Sequence, residues 1–239
     1  AVLAQDDPLH RDTPEWLATK WVDSYGEETA RKIASAHMQE ASVDITVKED
    51  AAGWAEKLDA VTLSTGSLRL KGRTNVTALP GYTDGAWWVQ DAAAALPAVL
   101  LDPKPDEVIA DLCAAPGGKT AQLAFAGATV TAIDRSAKRL ERLSENMLRL
   151  HLTVESVAAD ALAYQGGPFD AILLDAPCTA TGTIRRHPDV AWTKEAVDLE
   201  KLASLQARLL KKAIGLLKPG GRLVYCTCSL EPEEGERQI

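Results

Sequence analysis

The chain has 239 residues, 46% of them hydrophobic and 25% charged, with a formal net charge of -8 and four cysteines. That length holds one large domain or two modest ones, and no run approaches the roughly 18 apolar residues of a membrane span. Four cysteines in a chain this long do not make a disulfide framework, so a reducing cytoplasm is the expected setting. The opening AVLAQDD lacks the basic flank of a signal peptide, and none is expected. The negative balance argues against indiscriminate nucleic-acid binding, yet it leaves room for a local basic groove.

The first element is predicted at Thr13 and Pro14, an N-cap and first helical position ahead of Trp16, Leu17, Trp21 and Val22 at helical spacing. Gly26 ends that helix and Glu27 to Gln39 forms the next. VDITVK alternates as a strand does, and VTLSTGSLRLKG reads as two short strands about a glycine turn. A bridge, LPGYTDGAWWVQDAAAALPAVLL, carries a helix from Asp91 to Leu100, and Pro103 and Pro105 punctuate a linker. Residues 1–105 are therefore expected to be a small α+β subdomain with its bridge, and 106–239 a second domain. In that second domain EVIADLC, TVTAID, LTVESVAAD, FDAILLDAPC and GRLVYCTC are predicted strands. GGKTAQLAFAG, SAKRLERLSENMLRL and the long segment from Lys194 are predicted helices. Strands alternating with helices give right-handed crossovers and a parallel, doubly covered sheet, and the continuous apolar runs AILLD and RLVYC suit strands buried on both faces.

Ligands of such sheets bind outside the carboxyl ends of the strands. Here those ends carry DLCAAPGGK, AIDRS, AADA, LDAPCTATG and YCTCS. Gly117 and Gly118 let a ligand approach the backbone closely. The loop is neither a dinucleotide fingerprint nor a P-loop, which weakens dehydrogenase and ATPase readings. Asp111 ends the first strand. Asp134, 23 positions later, ends the second and suits a ribose diol, while Asp160 is placed to meet an adenine edge. Together these residues describe a nucleoside pocket without a diphosphate cradle, which points to S-adenosylmethionine.

DLCAAPGGKT, DAPCTATGTIRRHPDVAW and YCTCSLEPEEGE resemble the Nop/Sun family of RNA cytosine-5 methyltransferases, nearest its bacterial Sun branch. The similarity runs from about Pro14 onward and includes PEWL and GAWWVQDAAA. It implies a Rossmann-like S-adenosylmethionine-dependent methyltransferase domain, α/β in class, preceded by a small α+β RNA-binding subdomain. It also implies a further N-terminal helical RNA-binding domain before this region and a closing pair of strands after Ile239. The implied cofactor residues are Cys113, Ala114, Ala115, Pro116, Gly117, Gly118, Lys119, Asp134, Asp160 and Asp175. Cys228 is implied as the nucleophile, Cys178 as the residue that helps release product, and Asp175 as a contact to the base. The implied substrate is RNA, most simply ribosomal RNA.

The remaining candidates carry weaker signals. Arg185, Arg186 and His187 in TIRRHPD, beside a catalytic strand, are expected to touch phosphates; Arg69, Lys71 and Arg73 in RLKGR are a second candidate RNA face. Cys226 and the Cys113 side chain read as small buried hydrophobes. Trp16, Trp21, Trp87 and Trp88 read as core, and Lys138, Arg139, Arg142 and Glu145 as a solvated helix face. Four scattered histidines do not make a zinc site, and no metal is expected. Two other functions compete: a DNA cytosine-5 methyltransferase using Cys178, and a catalytically silent RNA-binding assembly factor. A nicotinamide dehydrogenase is a distant third.

Overall fold

The computed structural model describes residues 7–72 and 75–239. Its first helices are α1 (Pro8–Arg11), α2 (Glu15–Tyr25) and α3 (Glu27–His37). The Asp7 carboxylate caps α1 by accepting from the Leu9 N–H at 3.1 Å. Pro14, not Thr13, precedes α2, because the Thr13 hydroxyl turns back to donate to the Pro8 carbonyl at 3.2 Å. Gly26, at φ +79°, ends α2 and opens α3.

Next come β1 (Asp44–Val47), α4 (Ala51–Lys57), β2 (Val61–Thr62), β3 (Leu68–Arg69) and β4 (Trp87–Val89). The strands pair antiparallel in the order β2-β3-β1-β4. The rest of the chain is α5 (Ala92–Leu101), β5 (Val108–Leu112), α6 (Gly118–Phe125), β6 (Thr129–Asp134), α7 (Ala137–Arg149), β7 (Glu155–Ala158), β8 (Phe169–Asp175), α8 (Val190–Thr193), α9 (Ala196–Ile214) and β9 (Leu217–Cys226). All five strands of this second sheet are parallel, in the order β7-β6-β5-β8-β9. β8, between β5 and β9, carries Ala171, Ile172, Leu173 and Leu174, all wholly buried; each of the three larger side chains contributes roughly 2 kcal/mol by leaving water.

The described chain forms two compact units that do not follow a boundary near residue 105. A sheet unit comprises residues 42–176 and 209–226, and a helical unit comprises 7–41, 177–208 and 227–239. The antiparallel and parallel sheets belong together because they share a core. Trp88 of β4 is buried with Ala121, Leu140, Leu143 and Met147 of α6 and α7, and Arg149 donates to the Tyr82 and Trp87 carbonyls at 2.7 and 3.1 Å. Gly85 makes the approach possible: at φ +65°, a Cβ there would lie 2.1 Å from the Arg149 carbonyl oxygen. In the helical unit Leu9, Leu17, Trp21, Ala30, Ala34 and Ala191 form the interior. The Trp21 indole donates to Glu231 at 3.1 Å, and Lys20 pairs with Glu233. Trp21, Trp87 and Trp88 are core residues, as their setting in the sequence suggests.

Arg69, expected on an RNA face, is tied into the fold. Its guanidinium grips Asp44 with two hydrogen bonds, at 2.7 and 2.9 Å, and the Asp44 side chain, 1% exposed, also accepts from the Ala92 N–H at 3.2 Å. Lys71 pairs with Asp59 on the surface, and Arg73 lies outside the described residues. Arg69→Ala strands a buried carboxylate and is expected to cost about 3 kcal/mol, toward the low end for a broken buried pair since the guanidinium is partly exposed. A lower urea midpoint checks this. An unchanged midpoint with a flatter salt dependence of RNA binding would restore the RNA-facing role.

Candidate active site

Each loop at the carboxyl edge of the parallel sheet is shaped by its own residues. After β5 the chain turns through Cys113, at φ +64°, and Gly117, at φ +102°. A Cβ on Gly117 would sit 2.8 Å from Leu143 Cγ, so the turn needs glycine twice over. Gly117 also leaves the start of α6 without a capping side chain, which keeps its first N–H groups available to a ligand. The Ala115 N–H reaches Asp134 Oδ2 at 3.2 Å, tying this loop to the end of β6.

Asp134 is buried and accepts on Oδ1 from the Ser136 N–H at 2.9 Å. Arg139 lies 3.3 Å from its Oδ2 and also donates to the Ala115 carbonyl. That arginine, which the sequence assigns to a solvated face, latches two donor-loop residues. Asp160 is exposed beyond β7, its Oδ1 held by the Leu162 N–H at 2.9 Å.

Asp111 is wholly buried near the end of β5. Its Oδ2 accepts from the Thr120 hydroxyl at 2.6 Å, and Oδ1 has no partner among the described residues. Burial pushes this carboxyl up to about 7, opposed in part by the Thr120 hydrogen bond and the Lys119 charge. Because the folded value lies above the unfolded one, Asp111 costs nothing below about pH 4. Stability then falls as pH rises toward 7 and levels off, by on the order of 4 kcal/mol. Asp111→Asn is expected to flatten urea-denaturation stability across that window; an unaltered slope would show that Asp111 is ionised throughout.

Asp175 ends β8 beside Cys226 of β9, to which it is registered. Lys119 Nζ donates to its Oδ2 at 2.7 Å and Cys226 Sγ to its Oδ1 at 3.6 Å. Burial works against a charged Lys119, but Asp175, Cys226 and Asp111 outweigh it and hold the ammonium above its ordinary range. Burial, and then the Asp175 charge, pushes the Cys226 thiol up; burial pushes Cys113 up to about 12. Both are poor nucleophiles. Cys226 is thus more than the space-filling thiol expected: it fixes one oxygen of the carboxylate whose other oxygen Lys119 holds.

β8 and β9 each continue into the helical unit, and there the other two cysteines meet. Cys178 and Cys228 have their sulfurs 3.5 Å apart, and all four cysteines are thiols. The Gly182 N–H donates to the Cys228 carbonyl at 2.9 Å. The hydrogen bond to Cys228, burial, and the charges of Cys228 and Glu234 push the Cys178 thiol far up. The backbone hydrogen bond from Ala180 works against these and favours the thiolate. Arg185, Arg186 and His187 follow on the turn after Thr183, whose carbonyl accepts from the Arg186 and His187 N–H groups at 2.8 and 2.9 Å; Arg186 and His187 are exposed. Among the described residues no three or more His, Cys, Asp or Glu side chains gather as a metal site, and no helix is long and apolar enough to cross a membrane.

Residues 98–239 match the family described as 16S rRNA methyltransferase RsmB/F. The chain is 40% identical to the ribosomal RNA small subunit methyltransferase B of Shewanella oneidensis, over 98% of this chain and 58% of that protein. It is also 40% identical to the protein of the same name from Vibrio cholerae, over 95% and 56%. It therefore spans a little over half the length of the curated relatives it matches. A methyltransferase homologue from Pyrococcus horikoshii superposes with a TM-score of 0.85 at 32% identity, covering 100% of this chain and 81% of that one. With its parallel sheet, glycine loop and paired cysteines, this chain belongs to the RsmB/F family of 16S rRNA methyltransferases.

Proposed function

We propose that this chain carries the machinery for S-adenosylmethionine-dependent methylation of carbon 5 of a cytosine in RNA, and that the RNA is small-subunit ribosomal RNA, as the names of its relatives indicate. The observation that carries the reading is the Cys178–Cys228 pair, whose sulfurs lie 3.5 Å apart. The donor-loop residues fit the cofactor. Gly117 leaves the first N–H groups of α6 without a side-chain cap, Asp134 suits the ribose diol, Asp160 suits the adenine edge, and Asp111 Oδ1 is a buried oxygen with no partner among the described residues. When bound, S-adenosylmethionine supplies a methyl group on a sulfonium that departs as a neutral thioether.

Carbon 5 of cytosine is too weak a nucleophile to take that methyl unaided. The Cys228 thiolate adds to carbon 6, and the electron pair displaced from the ring double bond makes carbon 5 nucleophilic. Asp175 supports the ring at N3 and N4, its own position set by Lys119 and Cys226. After methylation a base removes the carbon-5 proton, the double bond re-forms and the Cys228 sulfur leaves. The Cys228 sulfur leaves as a thiolate, and the Cys178 S–H, 3.5 Å away, donates a hydrogen bond to it and so eases its release. Arg185, Arg186 and His187 position the RNA backbone.

Incubating the chain with labelled donor and a 16S ribosomal RNA transcript, then mapping 5-methylcytosine, tests this reading. Methyl transfer to a defined cytosine supports it. Transfer to DNA alone, or binding of RNA without transfer, would replace it with a DNA enzyme or an assembly factor.

A further inference from the structure

Glu234 stands in an acidic run, EPEEGE, yet it is wholly buried. Both its carboxylate oxygens accept from the Thr179 N–H, at 3.0 and 3.1 Å, and Oε2 also accepts from the Thr179 hydroxyl. Gln206 donates to Oε1 at 2.9 Å and, from the same amide nitrogen, to the Pro177 carbonyl at 2.8 Å. Pro177 and Thr179 are the two neighbours of Cys178. The network continues to the other cysteine: the hydroxyls of Thr179 and Ser229 lie 3.1 Å apart, and Ser229 follows Cys228. One buried carboxylate therefore anchors the residues on both sides of Cys178 and, through one hydroxyl pair, the neighbour of Cys228.

We propose that Glu234 is a positioning residue for the covalent step, whose buried charge fixes the Cys178 turn and keeps the shared proton on Cys178 so that Cys228 is the sulfur that attacks. This rests on the reading that Cys228 is the nucleophile. Two thiols in contact titrate as a pair, and something has to decide which loses its proton first. A carboxylate held against the Cys178 turn penalises a thiolate there, and a protonated Cys178 donating to Cys228 favours the thiolate on Cys228. The charges of Cys228 and Glu234 act on Cys178 in this direction, against the Ala180 backbone hydrogen bond, which favours a thiolate there. Glutamine cannot replace Glu234 in full, because its NH2 group cannot accept from the Thr179 N–H.

Alkylation of the full chain, without RNA or donor, tests the proposal separately from catalysis. Initial rates of iodoacetamide labelling at Cys178 and Cys228 are followed against pH by peptide mass spectrometry. The parent chain is expected to label at Cys228 first, with Cys178 rising only at higher pH. Glu234→Gln should bring the Cys178 onset down by about one pH unit and shrink the Cys228 preference roughly tenfold. Thr179→Val, which loses a hydrogen bond and keeps the charge, should retain the preference. A folded Glu234→Gln with unchanged labelling, or an equal shift in Thr179→Val, would reduce Glu234 to a structural anchor and overturn the proposal. Should Glu234→Gln fail to fold, Glu234→Asp keeps the charge and must keep the Cys228 preference; losing it would overturn the proposal equally. If labelling behaves as expected but Cys228→Ala still forms the RNA adduct, the reading of Cys228 fails while the role of Glu234 in ordering the pair stands.

Discussion

Cys178→Ala, incubated with substrate RNA and S-adenosylmethionine, is expected to accumulate a covalent protein–RNA adduct that survives denaturing electrophoresis, whereas Cys228→Ala forms none. The asymmetry follows from the order of the steps. Without the Cys228 sulfur no bond to carbon 6 forms, and methyl transfer falls by on the order of 10⁴-fold or more, as when an enzyme loses its nucleophile. Without Cys178 the bond still forms, and the methyl group still arrives, but the sulfur leaves without its hydrogen-bond partner 3.5 Å away and the methylated intermediate persists. Attack also slows somewhat, since the Cys178 S–H no longer supports the thiolate; release slows more. The reverse pattern would move the nucleophile to Cys178 and revive the DNA-type arrangement. An active parent chain with no adduct in either variant would leave the covalent route unsupported.

Asp134→Ala should weaken S-adenosylmethionine binding by about 1–3 kcal/mol, the usual cost of leaving polar partners unmet, with RNA affinity unchanged. The side chain is buried and accepts from the Ala115 and Ser136 N–H groups at 3.2 and 2.9 Å, with Arg139 at 3.3 Å. Its loss removes the acceptor for the ribose diol and unfastens the glycine loop from β6 together. Titration calorimetry of the variant reads the effect directly. Equal affinity in variant and parent chain, or tighter binding of NAD than of S-adenosylmethionine, would assign the loop to another ligand.

The parallel sheet was legible because its strands announce themselves. AILLD and RLVYC are unbroken apolar runs; the first is buried as expected, whereas Leu223 to Cys226 of the second, in the outermost strand β9, are only half-buried. α4 was not legible: it is seven residues long and contains Gly53, too short to show a helical period. β4 hid in the bridge, where WWV does not alternate. The boundary at residue 105 failed because Trp88 is buried with Leu143 and Met147, some 55 positions onward, and no local pattern reports a contact at that range. Local charge does not report a distant partner. Arg69 looked like an RNA-facing cation because its partner, Asp44, is 25 positions away and becomes its neighbour only through the antiparallel register. Glu234 was not singled out among the neighbouring glutamates; only the fold turns it inward.

The helical unit is assembled from three separated stretches of chain, 7–41, 177–208 and 227–239. Its ties span nearly the whole length: Trp21 to Glu231 and Lys20 to Glu233 close loops of 210 and 213 residues. A chain made from its amino end therefore exposes α2 and α3 long before their partners exist, since translation at about 5–20 residues per second needs ten seconds or more to reach Glu231. During that interval the sheet unit can complete β5 to β8, whose pairings are comparatively local, while Leu17 and Trp21 wait uncovered. The two thiols come together only once Cys228 has followed Cys178 by 50 residues, so the sulfur pair forms late relative to α2 and α3.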